Sequence, residues 1–316
     1  MKTFPLIDLH QDLLPHLRSL DLFPEGKQTD FEMLKAADAK IVAATAFPLP
    51  PDGNVFHPVT NDLIEEDFRG YIRQTQMDPA WSIIRSAADV ARVLREPNQH
   101  GLLLHIEGLN VIGDADWARL QSWVDLGWRS AALVWNVSNP LGGGTHDAET
   151  GLSDLGRKMI AWLQERRMVV DFAHMNRPTF WDALETVDGP IVISHGGVNA
   201  RCPSARNYDD DQLFAVAKRH GVLGMFFANT FVAGRGKTGT VADVANHIDD
   251  LVKTMGVEHV ALGTDFGGIL SGLVQGLESL ERLPNLWLAL ARRGYTDDDL
   301  ERIAWKNAAR VLTEIL

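Results

Sequence analysis

The chain has 316 residues, 45% hydrophobic and 23% charged, a globular composition long enough for one large domain or two ordinary ones. A formal net charge of −12 argues against nucleic acid as a partner, because binding a phosphate backbone needs clustered Lys and Arg. The one cysteine, Cys202, excludes an internal disulfide, and no apolar run approaches the ~18 residues of a membrane span.

The opening MKTFPLIDLH has no basic segment followed by a long apolar stretch, so a protein without a secretory signal is expected, soluble and cytoplasmic, with no membrane partner. Candidate strands follow in order: LIDLH at 6–10, IVAATAF at 41–47, GLLLHIE at 101–107 and SAALVWN at 130–136. Then come MVVDFAH at 168–174, PIVISH at 190–195, GVLGMFF at 221–227 and HVALGTD at 259–265. Amphipathic segments lie between several of them, among them GLSDLGRKMIAWLQERR and VADVANHIDDLVKTMG, the second ending at Gly256 as a C-cap. The gap between 47 and 101 is long enough for a crossover with extra helices, and 293–316 reads as one or two closing helices. Regular strand–helix alternation implies parallel strands, and eight of them in this length imply a single (β/α)₈ barrel domain over 1–316. The competing doubly wound sheet lacks its Gly-rich turn after the first strand.

Polar residues fall at the strand ends. His10 and Asp12 finish the first strand, Glu107 the third, His174 the fifth, His195 the sixth and Asp265 the eighth. Barrel active sites gather at this C-terminal rim. Residues two apart in an extended chain share a face, ~7 Å apart, so His10 and Asp12 can approach one ion if the backbone bends. Imidazole nitrogens and carboxylates together suit Zn²⁺ or a similar divalent ion. Three histidines and two carboxylates exceed the needs of one catalytic zinc and match two ions sharing a bridging carboxylate, whose bridging water becomes a nucleophile near neutral pH. His105 reads as a core histidine, and His16, His57, His100, His146, His220 and His247 as surface or packing residues. Asp8 and Asp171 stand two and three positions before a proposed ligand, where they could orient an imidazole or serve structure alone. Trp135, beside Asn136, is a candidate pocket wall.

The segments LHQDLL, HIEGLN, DFAHM, ISHGG, ARNYDDD and GTDFGG, with GLSDLG at 151–156 and KNAARVL at 306–312, resemble in order and spacing the renal (membrane) dipeptidases, the M19 metallopeptidases. The resemblance spans nearly the whole chain. It implies a (β/α)₈ barrel with two zinc ions that cleaves dipeptides, including some with a D-residue at the carboxyl end. Position by position, it implies His10 and Asp12 on one zinc, His174 and His195 on the other, and Glu107 between them. Asp265 matches the family's acid/base aspartate and Arg206 its arginine for the substrate carboxylate, with Arg201 as a nearby rival. Three positions depart from the pattern. Asn136 stands where animal members carry a histidine that polarises the carbonyl and stabilises the oxyanion, so it is expected at the same place, binding substrate and donating a hydrogen bond without a charge. Gly267 replaces a frequent second aspartate, and GLN after Glu107 lacks the usual second glycine. The expected function is a binuclear zinc dipeptidase using a metal-bridging hydroxide, in a homodimer by default for a cytosolic barrel. The alternatives are a related barrel hydrolase acting on N-acyl amino acids, lactones or cyclic amides, and a catalytically weak metal-binding member.

Overall fold

The computed structural model describes residues 3–47, 61–109, 116–270 and 272–316. The parallel staves of a closed barrel are β1 (Leu6–Gln11), β2 (Ala39–Ala46), β4 (His100–Glu107), β5 (Trp128–Ala132), β6 (Val169–Asp171), β7 (Val192–Val198), β9 (Val222–Met225) and β10 (Val260–Leu262). Around the barrel they run β2–β1–β10–β9–β7–β6–β5–β4, and β4 pairs back onto β2 to close it. These are the eight expected staves. Two short strands were not foreseen. Strand β3 (Trp81–Ile83) pairs with the first three residues of β4, and β8 (Asn207–Tyr208) pairs with the end of β7.

Several expected strands end early. Sheet pairing stops at Ala132, Asp171 and Leu262, whereas the apolar runs continue to Asn136, His174 and Asp265. His174 and Asp265 have φ of 65° and 64°, a left-handed backbone that takes the chain out of the ladder. The rim residues therefore sit on turns just beyond the strands.

Period-two alternation in β4 shows how the barrel is filled. Leu102, Leu104 and Ile106 belong to the large core beneath the surrounding helices, while Leu103 belongs to a second core with Ile41, Val169, Val192, Val222 and Ala261. Ala308, Val311 and Leu312 of the last helix, Asn307–Ile315, complete that second core. Asn307 fixes this helix by donating to the carbonyls of Val257 and Val260, at the start of β10. One end of the barrel is thus plugged with apolar side chains, leaving the other for polar chemistry.

Helix starts follow local capping chemistry. Ser153 caps Asp154–Glu165 through the Gly156 N–H, and Thr240 with Asp243 forms a capping box ahead of Val241–Met255. The 47–101 crossover contains helices Asn61–Met77 and Ala87–Arg95 with β3 between them; residues 48–60 of it lie outside the described residues. Among the described residues no helix is long and apolar enough to cross a membrane.

Candidate metal centre

Five buried side chains from four staves meet at the open rim. Glu107 Oε1 is the centre, 2.8 Å from His174 Nε2, 3.4 Å from His195 Nε2 and 3.5 Å from His10 Nε2. His10 Nε2 also lies 3.5 Å from Asp12 Oδ2 and 3.9 Å from Asp265 Oδ1. The two histidine Nε2 atoms of His174 and His195 are 3.1 Å apart.

The δ nitrogens of His174 and His195 have partners that hold their ε faces inward. His174 Nδ1 donates to Asn136 Oδ1 (2.9 Å), and His195 Nδ1 is hydrogen-bonded to Ser194 Oγ (2.8 Å). Asn136 Oδ1 accepts a second bond from Thr145 Oγ1 (2.8 Å). The Asn136 carbonyl is therefore committed to an imidazole, and only its NH₂ group remains to donate. Thr145 and Ser194 were not singled out in the sequence, though Ser194 directly precedes His195.

The donor chemistry fits a divalent cation. With Nδ1 donating, His174 Nε2 turns a lone pair toward the Glu107 oxygen, an arrangement of acceptor on acceptor that a cation relieves. Both nitrogens of His10 and Oδ1 of Asp12 are buried without a hydrogen-bond partner, the usual mark of a missing partner. His10, Glu107 and His195 form one set of donor atoms within 4.8 Å of one another, and His10, Asp12 and Asp265 form a second. Nitrogen and carboxylate oxygen ligands of this kind suit Zn²⁺ and its neighbours.

Charge is poised accordingly. Burial alone would lower the His10 pKa, but Glu107, Asp12 and Asp265 outweigh it and raise it to about 10. Burial pushes Glu107 up to about 8 and Asp265 up to about 7. Burial, with the charges of Arg206 and His10, holds His174 and His195 below the ordinary imidazole value. Without a metal the raised values keep protons on His10 and Glu107, and a bound divalent cation would take the place of that positive charge.

The pocket above the cluster is lined by Pro15, Phe47, Trp135, Phe231 and Leu270, with Asn136 and Arg206 as polar members beside the cluster itself. Trp135 packs on both Phe47 and the His174 ring. Arg206 is buried, its guanidinium faces the Phe226 ring, and its Nη1 has no hydrogen-bond partner. Arg201, the rival, is instead paired with Asp250 at 2.7 Å on the surface.

The departures have local causes. Gly267 has φ of +90°, and a Cβ there would lie 2.6 Å from the Asp12 carbonyl oxygen, so an aspartate does not fit this backbone. A Cβ on Gly268 would meet Asp12 Oδ2 and Asp265 Oδ1, each at 2.5 Å. Leu109, in place of a second glycine, is buried in the core. Asp8 and Asp171 make no hydrogen bond to a rim imidazole ring; their oxygens accept main-chain N–H groups. His105 is buried and bonded through Nδ1 to Ser130 Oγ. His16, His100 and His247 are buried packing residues, His146 and His220 are exposed, and His57 lies outside the described residues.

The family description "Membrane dipeptidase (Peptidase family M19)" matches residues 1–316. A protein from Klebsiella pneumoniae, described as an uncharacterized protein in the pqqA 5′ region, is 35% identical over 73% of this chain and 87% of its own length. Dipeptidase tcpJ of Claviceps purpurea is 31% identical over 72% of this chain, a match spanning 54% of that longer protein. A metallopeptidase from Rhodobacter sphaeroides, solved with a phosphinate mimic of the dipeptide L-Ala-D-Ala, shares the fold over 100% of both chains, with a TM-score of 0.86 and 24% identity. The chain belongs to the membrane dipeptidase family, peptidase family M19, metallopeptidases that hydrolyse peptide bonds.

Proposed function

We propose that this protein is a binuclear zinc dipeptidase, with His10 and Asp12 holding one ion, His174 and His195 the other, and Glu107 shared between them. The observation that carries the reading is the convergence of His10, His174 and His195 on Glu107 Oε1 with buried acceptors unpartnered, beside a buried guanidinium that has no carboxylate paired to it among the described residues. When bound, the ions would supply Lewis-acid polarisation of the scissile carbonyl and acidify a water toward neutral pH.

The chain's own residues account for the rest. Arg206 receives the substrate's C-terminal carboxylate in a fork of two N–H groups and so sets the distance to the scissile bond. Asp265 takes the proton of the attacking water and returns it to the departing amine, a double duty that suits a carboxyl whose burial raises its pKa to about 7. The NH₂ group of Asn136 faces the substrate carbonyl while its oxygen keeps His174 in place. Phe47, Trp135, Phe231 and Leu270 exclude water. The mimic bound by the Rhodobacter protein supports including dipeptides with a D-residue at the carboxyl end. Residues 1–316 form one catalytic domain in this reading, matched along their length by the family. We place it in the cytoplasm, where the single cysteine needs no partner, and as a homodimer.

A panel of L-L and L-D dipeptides, their C-terminal amides and N-acyl amino acids tests this assignment. Free dipeptides should turn over, and the amides should lose about 10- to 100-fold in kcat/KM, the worth of a charge-assisted hydrogen bond. Turnover of the acyl compounds alone would assign a related amidohydrolase instead.

A further inference from the structure

Two of the barrel's seams are thin. Strands β1 and β10 are registered by one residue pair, Asp8 with Leu262, and β6 and β7 by one pair, Asp171 with Val192. In both cases the paired residue is a fully buried aspartate one layer below the rim. Asp171 Oδ1 accepts from the N–H groups of Ala173 (2.9 Å) and, across the seam, Ser194 (2.8 Å). Asp8 Oδ1 accepts from the N–H groups of His10 (3.2 Å) and, across the seam, Thr264 (2.9 Å). Asp8 Oδ2 accepts from Gln11 Nε2 and Thr264 Oγ1, both at 2.6 Å.

The bonded N–H groups are not scattered. Ala173 directly precedes His174, Ser194 precedes His195 and Thr264 precedes Asp265, while the fourth belongs to His10 itself. His174 and Asp265 are the two rim residues with left-handed backbone, a conformation that persists only where surrounding bonds over-determine it. We propose that Asp8 and Asp171 are positioning residues of the metal cup, each adding side-chain hydrogen bonds to the few main-chain ones at a seam (Asp265 N–H to the His10 carbonyl, 3.1 Å; Phe172 N–H to the Val192 carbonyl, 2.8 Å) and locking the turns that aim His10 and Asp265, or His174 and His195. This rests on the metal-cup reading above.

The two sites differ in a way that makes the proposal testable. Asp171 Oδ2 has no hydrogen-bond partner and faces His105 Nε2 at 3.6 Å, so an amide NH₂ fits there while Oδ1 keeps both N–H bonds. Both oxygens of Asp8 receive two donors each, so an amide placed either way sets donor against donors. Asp8→Asn and Asp171→Ala should therefore each lose about 10- to 100-fold in Zn²⁺ affinity, measured by chelator competition, with an altered visible spectrum of the Co²⁺ form. Asp171→Asn should bind like the parent. Leu312→Ala, a destabilised variant remote from the rim, should also bind like the parent. If Asp8→Asn or Asp171→Ala does not fold, the remaining contrast decides. The proposal is overturned if Asp171→Asn falls as far as Asp171→Ala, if Asp8→Asn binds like the parent, or if Leu312→Ala loses as much affinity as they do. A parent protein that binds no divalent ion would instead remove the metal-cup reading.

Discussion

A buried imidazole that is to hold a cation must keep one nitrogen bare, and Asn136 and Ser194 leave the ε nitrogens of His174 and His195 as the free ones. Asn136 is thereby more than a weaker copy of the histidine that the family resemblance implies at this position. Its carbonyl is a fixed acceptor for an imidazole N–H, a role that a second histidine would fill only in one tautomer. Asp265 presents the sharper question, because it both lines the pocket and lies 3.9 Å from His10 Nε2. As the proton carrier, its replacement by Asn should lower kcat by about 10²- to 10⁴-fold while the bound metal stays at the parent level. Elemental analysis beside steady-state kinetics checks this, and loss of an ion in the variant would move Asp265 into the ligand set.

At the scale of an element, the segment after β1 shows how the rim is braced from the side. His16 is buried and accepts the N–H of Gln28 at Nε2 (3.0 Å), and Gln28 in turn holds the loop after Asp265 through Gly267 N–H and the Ile269 carbonyl. Burial lowers the His16 pKa from 6.5 to about 4. The unfolded chain thus takes up a proton below pH 6.5 that the folded chain refuses until about pH 4. Stability from this group is complete above pH 6.5 and is lost as the pH falls through that window. Between pH 7 and pH 5 the parent should lose about 2 kcal/mol more than His16→Gln, which cannot titrate, in urea unfolding followed by circular dichroism. Parallel losses would show that His16 stays neutral in both states or charges in both.

Over the whole molecule, a division of labour between the two ends of the barrel was partly legible in the sequence. The eight staves could be read because each is a short apolar run, and the rim residues because a run of Val, Leu or Ala that ends in His or Asp has no packing reason to do so. Strands β3 and β8, with three and two residues, are too short to show a period. The strand ends were overestimated where His174 and Asp265 turn left-handed, since nothing in a non-glycine side chain announces that backbone. Contacts across seams were invisible: Asp171 meets the Ser194 N–H only because β6 and β7 are in one register, which pattern alone does not supply. For the same reason Asp8 and Asp171 were read as possible imidazole partners, whereas they grip main chain. The partner of Asn136 lies 38 residues away and could not be inferred from local spacing. Arg206 and Arg201, rivals in the sequence, are separated by the fold, which buries one and pairs the other with Asp250.

We propose that this rim works as a two-ion site for dipeptide hydrolysis. Stepwise titration of the chelator-stripped protein with Zn²⁺, reading bound metal and dipeptide cleavage in the same samples, tests it most directly. Binding should be tight and saturate near two ions per chain, with cleavage rising in step and reaching its plateau at that ratio. Full activity at one ion per chain, or two bound ions with no cleavage of any dipeptide, would contradict it.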